Sequence, residues 1–220
     1  MATRLLLAEL AADYQAQAGV KVQIESMGGV DAAKRVQAGE TFDLVFLASD
    51  AIDKLIASGH IDANSKVDLV HSGVAVAVEM VANVPNTSSE AAVKAAVLAA
   101  KTISYSTGPS GVALAKLFER WGIADQIASR IVQAPPGVPV GSLVARGEVE
   151  LGFQQLSELI HLDGISIVGP LPPAIQITTT FSAGVCSTSP NKAPAKAVLA
   201  FMASPAAQAA KLRQGMELIT

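Results

Sequence analysis

Hydroxyls, amides and small residues recur at the ends of apolar runs in this sequence, and the clearest case is Ser106-Thr107-Gly108-Pro109-Ser110-Gly111. An apolar run holding Ile103 and Tyr105 leads in, and a helical pattern of Val112, Leu114, Ala115, Leu117 and Phe118 leads out. A strand, a hydroxyl-rich turn and a helix start together form a cradle for an anion. The first turn of a helix carries N–H groups without intrahelical partners, and the helix dipole places partial positive charge there. Ser110 is equally placed to be an ordinary N-cap with nothing bound. Both roles stay open for this turn taken alone.

Repetition of the device is what points to a ligand. Ser26-Met27-Gly28-Gly29 precedes a second helical pattern, and Pro136–Val138 precedes a third. Gln154 and Gln155 end another apolar run, and Ala2-Thr3-Arg4 opens the first helix with a guanidinium. Ligands of open α/β sheets bind outside the carboxyl ends of strands, where such turns lie. Helix starts, hydroxyls, amides and one Arg suit a small oxyanion or carboxylate.

Other reactive side chains fall into weaker patterns. Glu25 ends an alternating run and is a candidate general base, although a strand-end surface carboxylate is the plainer role. His71 sits before a long apolar run and reads as structural, while His60 and His161 flank turns. The three His lack any ligand spacing with each other or with Cys186, so no metal or other cofactor is expected. Cys186 reads as a buried thiol. No nucleophile-elbow or phosphate-loop pattern occurs, which argues against hydrolases and nucleotide hydrolysis.

The elements that must position these turns alternate strand and helix. Helical periodicity covers Thr3 to about Ala18, Val30–Gln37, Ala51–Ser58, Ser89–Ala100, Val112 to Trp121, Gln126–Ile131, Val140–Ala145 and Lys192–Met202, with a last helix after Pro205. Strand patterns cover Val20–Glu25, Phe42–Ala48, Val74–Val81, Val132-Gln133, Glu150–Phe153, Ile165–Val168 and Ile175–Val185. Alternation of this kind predicts an α/β fold with mostly parallel sheets. The two long patterns, at Val74–Val81 and Ile175–Val185, are placed to cross between two lobes.

Composition excludes several classes. Of 220 residues half are apolar, 16% are charged and the formal charge is −3, so no nucleic-acid footprint appears. Apolar runs are too short to span a membrane. The start, MATRLLLAELAADYQ, reads as an amphipathic helix and not as a signal peptide. One Cys allows no internal disulfide.

The segments GETFDLVFLASDAIDKLIASGHID, STGPSGVALAKLFERWGI, GVPVGSLVARGEVELGFQQ and ASPAAQAAKLRQGME resemble bacterial type 2 periplasmic solute-binding proteins, in particular the molybdate-binding branch. AGETFDLVFLASD is the most specific of these stretches. The resemblance implies two α/β lobes joined by two crossing strands, here 1–78 with 180–220 and 79–179, with a small anion held in the cleft. It further implies a periplasmic, monomeric, cofactor-free component of an ABC-type transporter, with a membrane permease as partner.

By that resemblance the ligand-binding residues are Thr3, Arg4, Ser26, Met27, Gly28, Gly29, Ser110, Val138 (through its backbone N–H) and Gln155, and the turns read above add Thr107, Gly111 and Gln154. Gly and Met stand where the molybdate-binding branch has hydroxyls, and Gln155 stands where it has Tyr. An Arg at position 4 favours a carboxylate over molybdate. The stretches ATRLLLAEL and FQQLSEL are similar to another branch, the aconitate isomerases, which implies an alternative activity interconverting trans- and cis-aconitate. Family members also have a strand before the helix that begins here at Thr3, so the expectation is either a truncated start or a first sheet one strand short.

Overall fold

The structure is a computed structural model that describes residues 1–135 and 137–219. In chain order the elements are α1 (Arg4–Ala18), α2 (Gly29–Gln37), β1 (Leu44–Ala48), α3 (Ser49–Ala57), β2 (Val67–Glu79), α4 (Glu90–Ala99), β3 (Ile103–Tyr105), α5 (Pro109–Arg120), α6 (Ala124–Ile127), α7 (Val140–Ala145), β4 (Leu151–Gln155), α8 (Leu156–Leu159), β5 (Ile165–Pro170), β6 (Thr178–Val185), α9 (Lys192–Ala203), α10 (Gln208–Arg213) and β7 (Glu217–Leu218). Two compact units result, Met1–Ser72 with Thr179–Thr220, and Gly73–Thr178. The divisions fall inside β2 and near the start of β6.

In the first unit β1 pairs antiparallel with β6, Leu44 opposite Val185 and Ala48 opposite Phe181. β7 pairs antiparallel with the start of β2, Val70 opposite Leu218. One face buries Leu6, Leu10, Val70, Val185, Leu199 and Met202, which joins α1 and α9 to the sheet. The other buries Val45, Leu47, Ile52, Leu55 and Cys186 under α2 and α3. α1 ends on Gly19 at φ 69°, where a left-handed turn would strain any residue with a Cβ.

The second unit is one continuous stretch. β2 pairs antiparallel with β4 and β5, and β3 pairs parallel with β4. β2 alternates strictly: Val74, Val76 and Val78 face a core with α4 and α5, while Ala75 and Ala77 face α7. The small residues on that second face let the helix approach closely. A Cβ at Gly152 would lie 2.6 Å from Val144 Cγ2.

The α/β class holds, but the expected parallel sheets do not. Only β3–β4 is parallel among the paired strands described, because β2 and β6 enter each sheet running against their neighbours. Val67–Glu79 is one thirteen-residue strand, so His71-Ser72-Gly73 lies inside it and is not a break. Val20–Glu25 forms no strand. An alternating pattern becomes a strand only where a neighbouring edge supplies N–H and C=O groups. This segment has no ladder partner among the described residues, and it lays Val22 and Ile24 against the α1 core instead. Val132-Gln133 likewise forms no strand, and only a single bridge joins Ile103 to Ile131.

Candidate functional site

In the second unit the start of α5 leaves backbone donors uncommitted. α5 begins at Pro109, which has no N–H, and its N-cap is Gly108 in extended conformation without a side-chain cap. Ser110 is therefore not the N-cap; it lies inside the first turn, and its side chain is buried. Its Oγ stands 3.3 Å from Ser106 Oγ. Val112 N–H donates to Gly108 O at 3.1 Å. The N–H groups of Ser110 and Gly111 remain the first-turn donors, with no protein partner among the described residues.

Gly111 makes this turn possible. A Cβ there would lie 1.6 Å from the Ser106 carbonyl oxygen, so the turn closes only over a hydrogen. No acidic residue occupies the first turn of α5, so the dipole is not neutralised from within. Thr107 is exposed beside it. Tyr105, just before the turn, stacks edge-on with Phe118 at 5.9 Å, and burial pushes its hydroxyl pKa up. The donors are thus fixed to a packed aromatic core.

Two sequence candidates in this unit are already committed. Val138 N–H donates to Pro135 O at 3.0 Å, closing a turn over Gly137, so it is not the free backbone donor expected. Pro136, the first residue of that candidate turn, lies outside the described residues. Gln154 is buried, accepts from Gly141 N–H at 3.1 Å and donates to Glu158 at 2.9 Å. Its amide caps the start of α7, a role legible only once β4 and α7 are neighbours. Gln155 is buried at the end of β4, where it is the N-cap residue of α8.

The first unit offers a different set. Thr3 is the N-cap of α1 but in helical conformation, and its side chain makes no cap bond. Arg4 is exposed, with no ion pair among the described residues. Ser26 is exposed, Gly28 is the N-cap of α2, and Gly29 starts it with its Cα facing Leu47. Asp31 lies in this first turn. A carboxylate there already complements the dipole, so α2 is a poorer anion cradle than α5.

The candidate bases are also engaged. Glu25 accepts from Arg35 Nη1 at 2.6 Å. Arg35 also forks onto Glu40, which holds the Glu40 carboxyl below its usual range. His71 Nδ1 lies 2.9 Å from Thr180 Oγ1, in keeping with a structural role inside the sheet. Cys186 is buried, and desolvation first and Asp43 second push its thiol up to about 11. Among the described residues no cluster of three His, Cys, Asp or Glu side chains is disposed to hold a metal. No described helix is long and apolar enough to cross a membrane.

Comparison with known proteins completes the picture. The profile of a family described as bacterial extracellular solute-binding protein matches residues 1–217. An aconitate isomerase from a Pseudomonas species is 39% identical over 202 residues, which cover 89% of this chain and 77% of that protein. The periplasmic molybdate-binding protein of Azotobacter vinelandii superposes with a TM-score of 0.82 at 23% identity, over 99% of this chain and 96% of that one. A periplasmic thiamin-binding protein superposes at 0.77 with 15% identity, over 98% of this chain and 79% of the other. These two structural likenesses concern the fold.

Proposed function

We propose that this chain, which belongs to the bacterial extracellular solute-binding protein family, captures a small anion as the solute-binding component of an ABC-type transporter. The observation that carries the reading is the start of α5. Two uncommitted N–H groups, a buried Ser110 hydroxyl beside Ser106, and a first turn free of acid form a neutral cradle suited to negative charge. Thr107, Ser110 and Gly111 are the proposed contacts there, with Gln155 as a further candidate. Thr3, Arg4 and Ser26–Gly29 are the proposed contacts of the first unit. An unpaired guanidinium favours a di- or tricarboxylate, because Arg forks onto carboxylates. A periplasmic location and a permease partner follow from the same reading.

A second reading is an isomerase acting on aconitate, and the 39% identical relative favours it. That reading needs a proton-transfer group at the site. Glu25 is held by Arg35, which weakens it as the base.

The test is a thermal-shift and calorimetric series with citrate, cis- and trans-aconitate, molybdate, tungstate and sulfate. A ligand at 100 times its Kd stabilises the native state by about 2.7 kcal/mol. A shift with the tricarboxylates supports the carboxylate reading. A shift with molybdate or tungstate alone removes the argument from Arg4, and no shift with any of them refutes the proposal. Absorbance of trans-aconitate over time then separates capture from turnover.

A further inference from the structure

The ten residues from Gly19 to Gly28 join α1 to α2 without forming a strand. Their described backbone hydrogen bonds lie only at the two ends: Gly19 N–H donates to Gln15 O, and Gly28 O accepts from Ala32 N–H. Between those ends the segment is held by side chains. Val22 and Ile24 lie against the α1 core, and Glu25 and Met27, on either side of Ser26, both meet Arg35.

Arg35 is built as a clamp. From the body of the unit, Glu40 accepts from Nε at 2.8 Å and from Nη2 at 2.6 Å. The guanidinium stands 4.8 Å from the centre of the Phe42 ring, in cation–π range. The remaining nitrogen, Nη1, reaches Glu25 at 2.6 Å and the Met27 sulfur at 3.9 Å. Those two residues flank Ser26. One planar group therefore has one edge fixed to Glu40, between α2 and β1, and its remaining nitrogen meets both neighbours of Ser26. Lys cannot do this, since a point charge has no fork to share between two carboxylates.

We propose that Arg35 is a positioning residue for ligand capture: through Glu25 and Met27 it holds the Ser26–Gly29 turn in its binding conformation. The inference rests on the proposed function, in which that turn touches the ligand. Arg35 and Glu25 themselves touch no ligand in this account. Because the segment has no backbone ladder, loss of the clamp lowers the fraction of molecules with the turn in place. Apparent affinity falls by that fraction; a turn in place one-tenth of the time binds about tenfold more weakly.

The experiment compares wild type, Glu25→Gln, Arg35→Lys, Arg35→Met and the double variant Glu25→Gln/Arg35→Met. Calorimetry uses whichever of citrate, trans-aconitate and molybdate binds the wild type most tightly. Hydrogen exchange over residues 20–28 is followed in the same proteins. The expected result is a loss of affinity of about two- to fivefold in each single variant, the range that an exposed ion pair supports, with faster exchange confined to that segment. The double variant loses no more than Arg35→Met, because the two residues act through one contact. Wild-type affinity in the variants despite faster exchange overturns the proposal and leaves the anion-binding reading standing, as does an additive loss in the double variant. A wild type that binds none of the three anions overturns the functional reading, and the proposal with it.

Discussion

Substituting Gly111 by Ala places a methyl group where the chain has already put a carbonyl. The new Cβ would lie 1.6 Å from Ser106 O and 2.7 Å from Ser106 C, both backbone atoms, and 3.2 Å from Tyr105 Cδ2. Restoring even a tight contact of about 3 Å requires the Ser106 carbonyl to move by more than about 1 Å, since no side chain can yield in its place. Overpacking of this kind costs about 1–3 kcal/mol. Ala is favoured over Gly inside a helix by up to about 1 kcal/mol, which offsets part of it. The net loss of roughly 1–2 kcal/mol corresponds to a fall in Tm of about 2–8 °C for a chain of this size.

The effect on binding is larger than the effect on stability. Ser106 and Ser110 face each other at 3.3 Å, so moving one displaces the hydroxyl pair along with the Ser110 and Gly111 donors. A displacement of about 1 Å at a positioned group can cost about 100-fold. Gly108→Ala is the control. A Cβ there meets only Ser106 Oγ, at 3.6 Å, and the Gly108 backbone is extended at φ −79°. Thermal denaturation and calorimetry with citrate or molybdate measure both quantities. Wild-type Tm and affinity in Gly111→Ala would refute both the turn geometry and its assignment as the cradle.

Gln154→Leu removes the acceptor of Gly141 N–H at the start of α7 and one hydrogen bond to Glu158; denaturant titration should show a loss of about 1–3 kcal/mol. Cys186 should resist a thiol reagent at pH 8 in the native protein and react as one thiol after unfolding, since burial pushes it up to about 11; rapid native reaction would count against its placement. Glu90 accepts from Trp121 Nε1 at 2.7 Å and from Arg120 at 2.9 Å, and these contacts hold its carboxyl below the usual range. A depressed carboxylate contributes stability above its unfolded pKa, near 4.3, and loses it as pH falls through the lower folded value. The acid unfolding curve of Glu90→Gln should accordingly be flatter than wild type across that window, and parallel curves would refute the assignment. Arg4→Ala should weaken citrate at least as much as it weakens molybdate, and the reverse order would remove the carboxylate preference.

Local signals survived into the structure where the element satisfied itself. Val140–Ala145 is helical over the residues its pattern marks, and Ser89 caps α4 by accepting from Ala92 N–H at 3.1 Å. The order of strand, hydroxyl turn and helix at α5 was legible for the same reason. Ser110 was harder to place, because Pro109 at the first helical position moves the cap back to Gly108. Failures came where an element depends on distant chain. Alternation in Val20–Glu25 reads as strand, yet whether an edge is present to pair with cannot be seen from within the segment. The parallel expectation failed because strand direction is set by β2 and β6, whose partners lie as far away in sequence as Leu44 from Val185 and Val70 from Leu218. Gln154 looked like a binding amide because its acceptor role toward Gly141 exists only after α7 packs on β4. The Arg35 clamp joins Glu25, Met27, Glu40 and Phe42 through one side chain, and no motif announces it.

The two units differ in how they meet the ribosome. Gly73–Thr178 is uninterrupted, so every strand of its sheet and both faces of its core have been synthesised once Thr178 emerges. The other unit is split. β1 finds its antiparallel neighbour only in Thr178–Val185, Val70 finds Leu218, and the α1 core lacks Val185, Leu199 and Met202 until the last part of the chain is made. During translation the apolar faces of α1 and β1 therefore wait, exposed, while more than a hundred residues are added between their halves. That interval is when the nascent chain offers unpaired strand edge and uncovered leucine to its surroundings. Residues 179–220 set the end of this vulnerable period, and a chain stopped before them would leave those faces uncovered while keeping every residue of Gly73–Thr178.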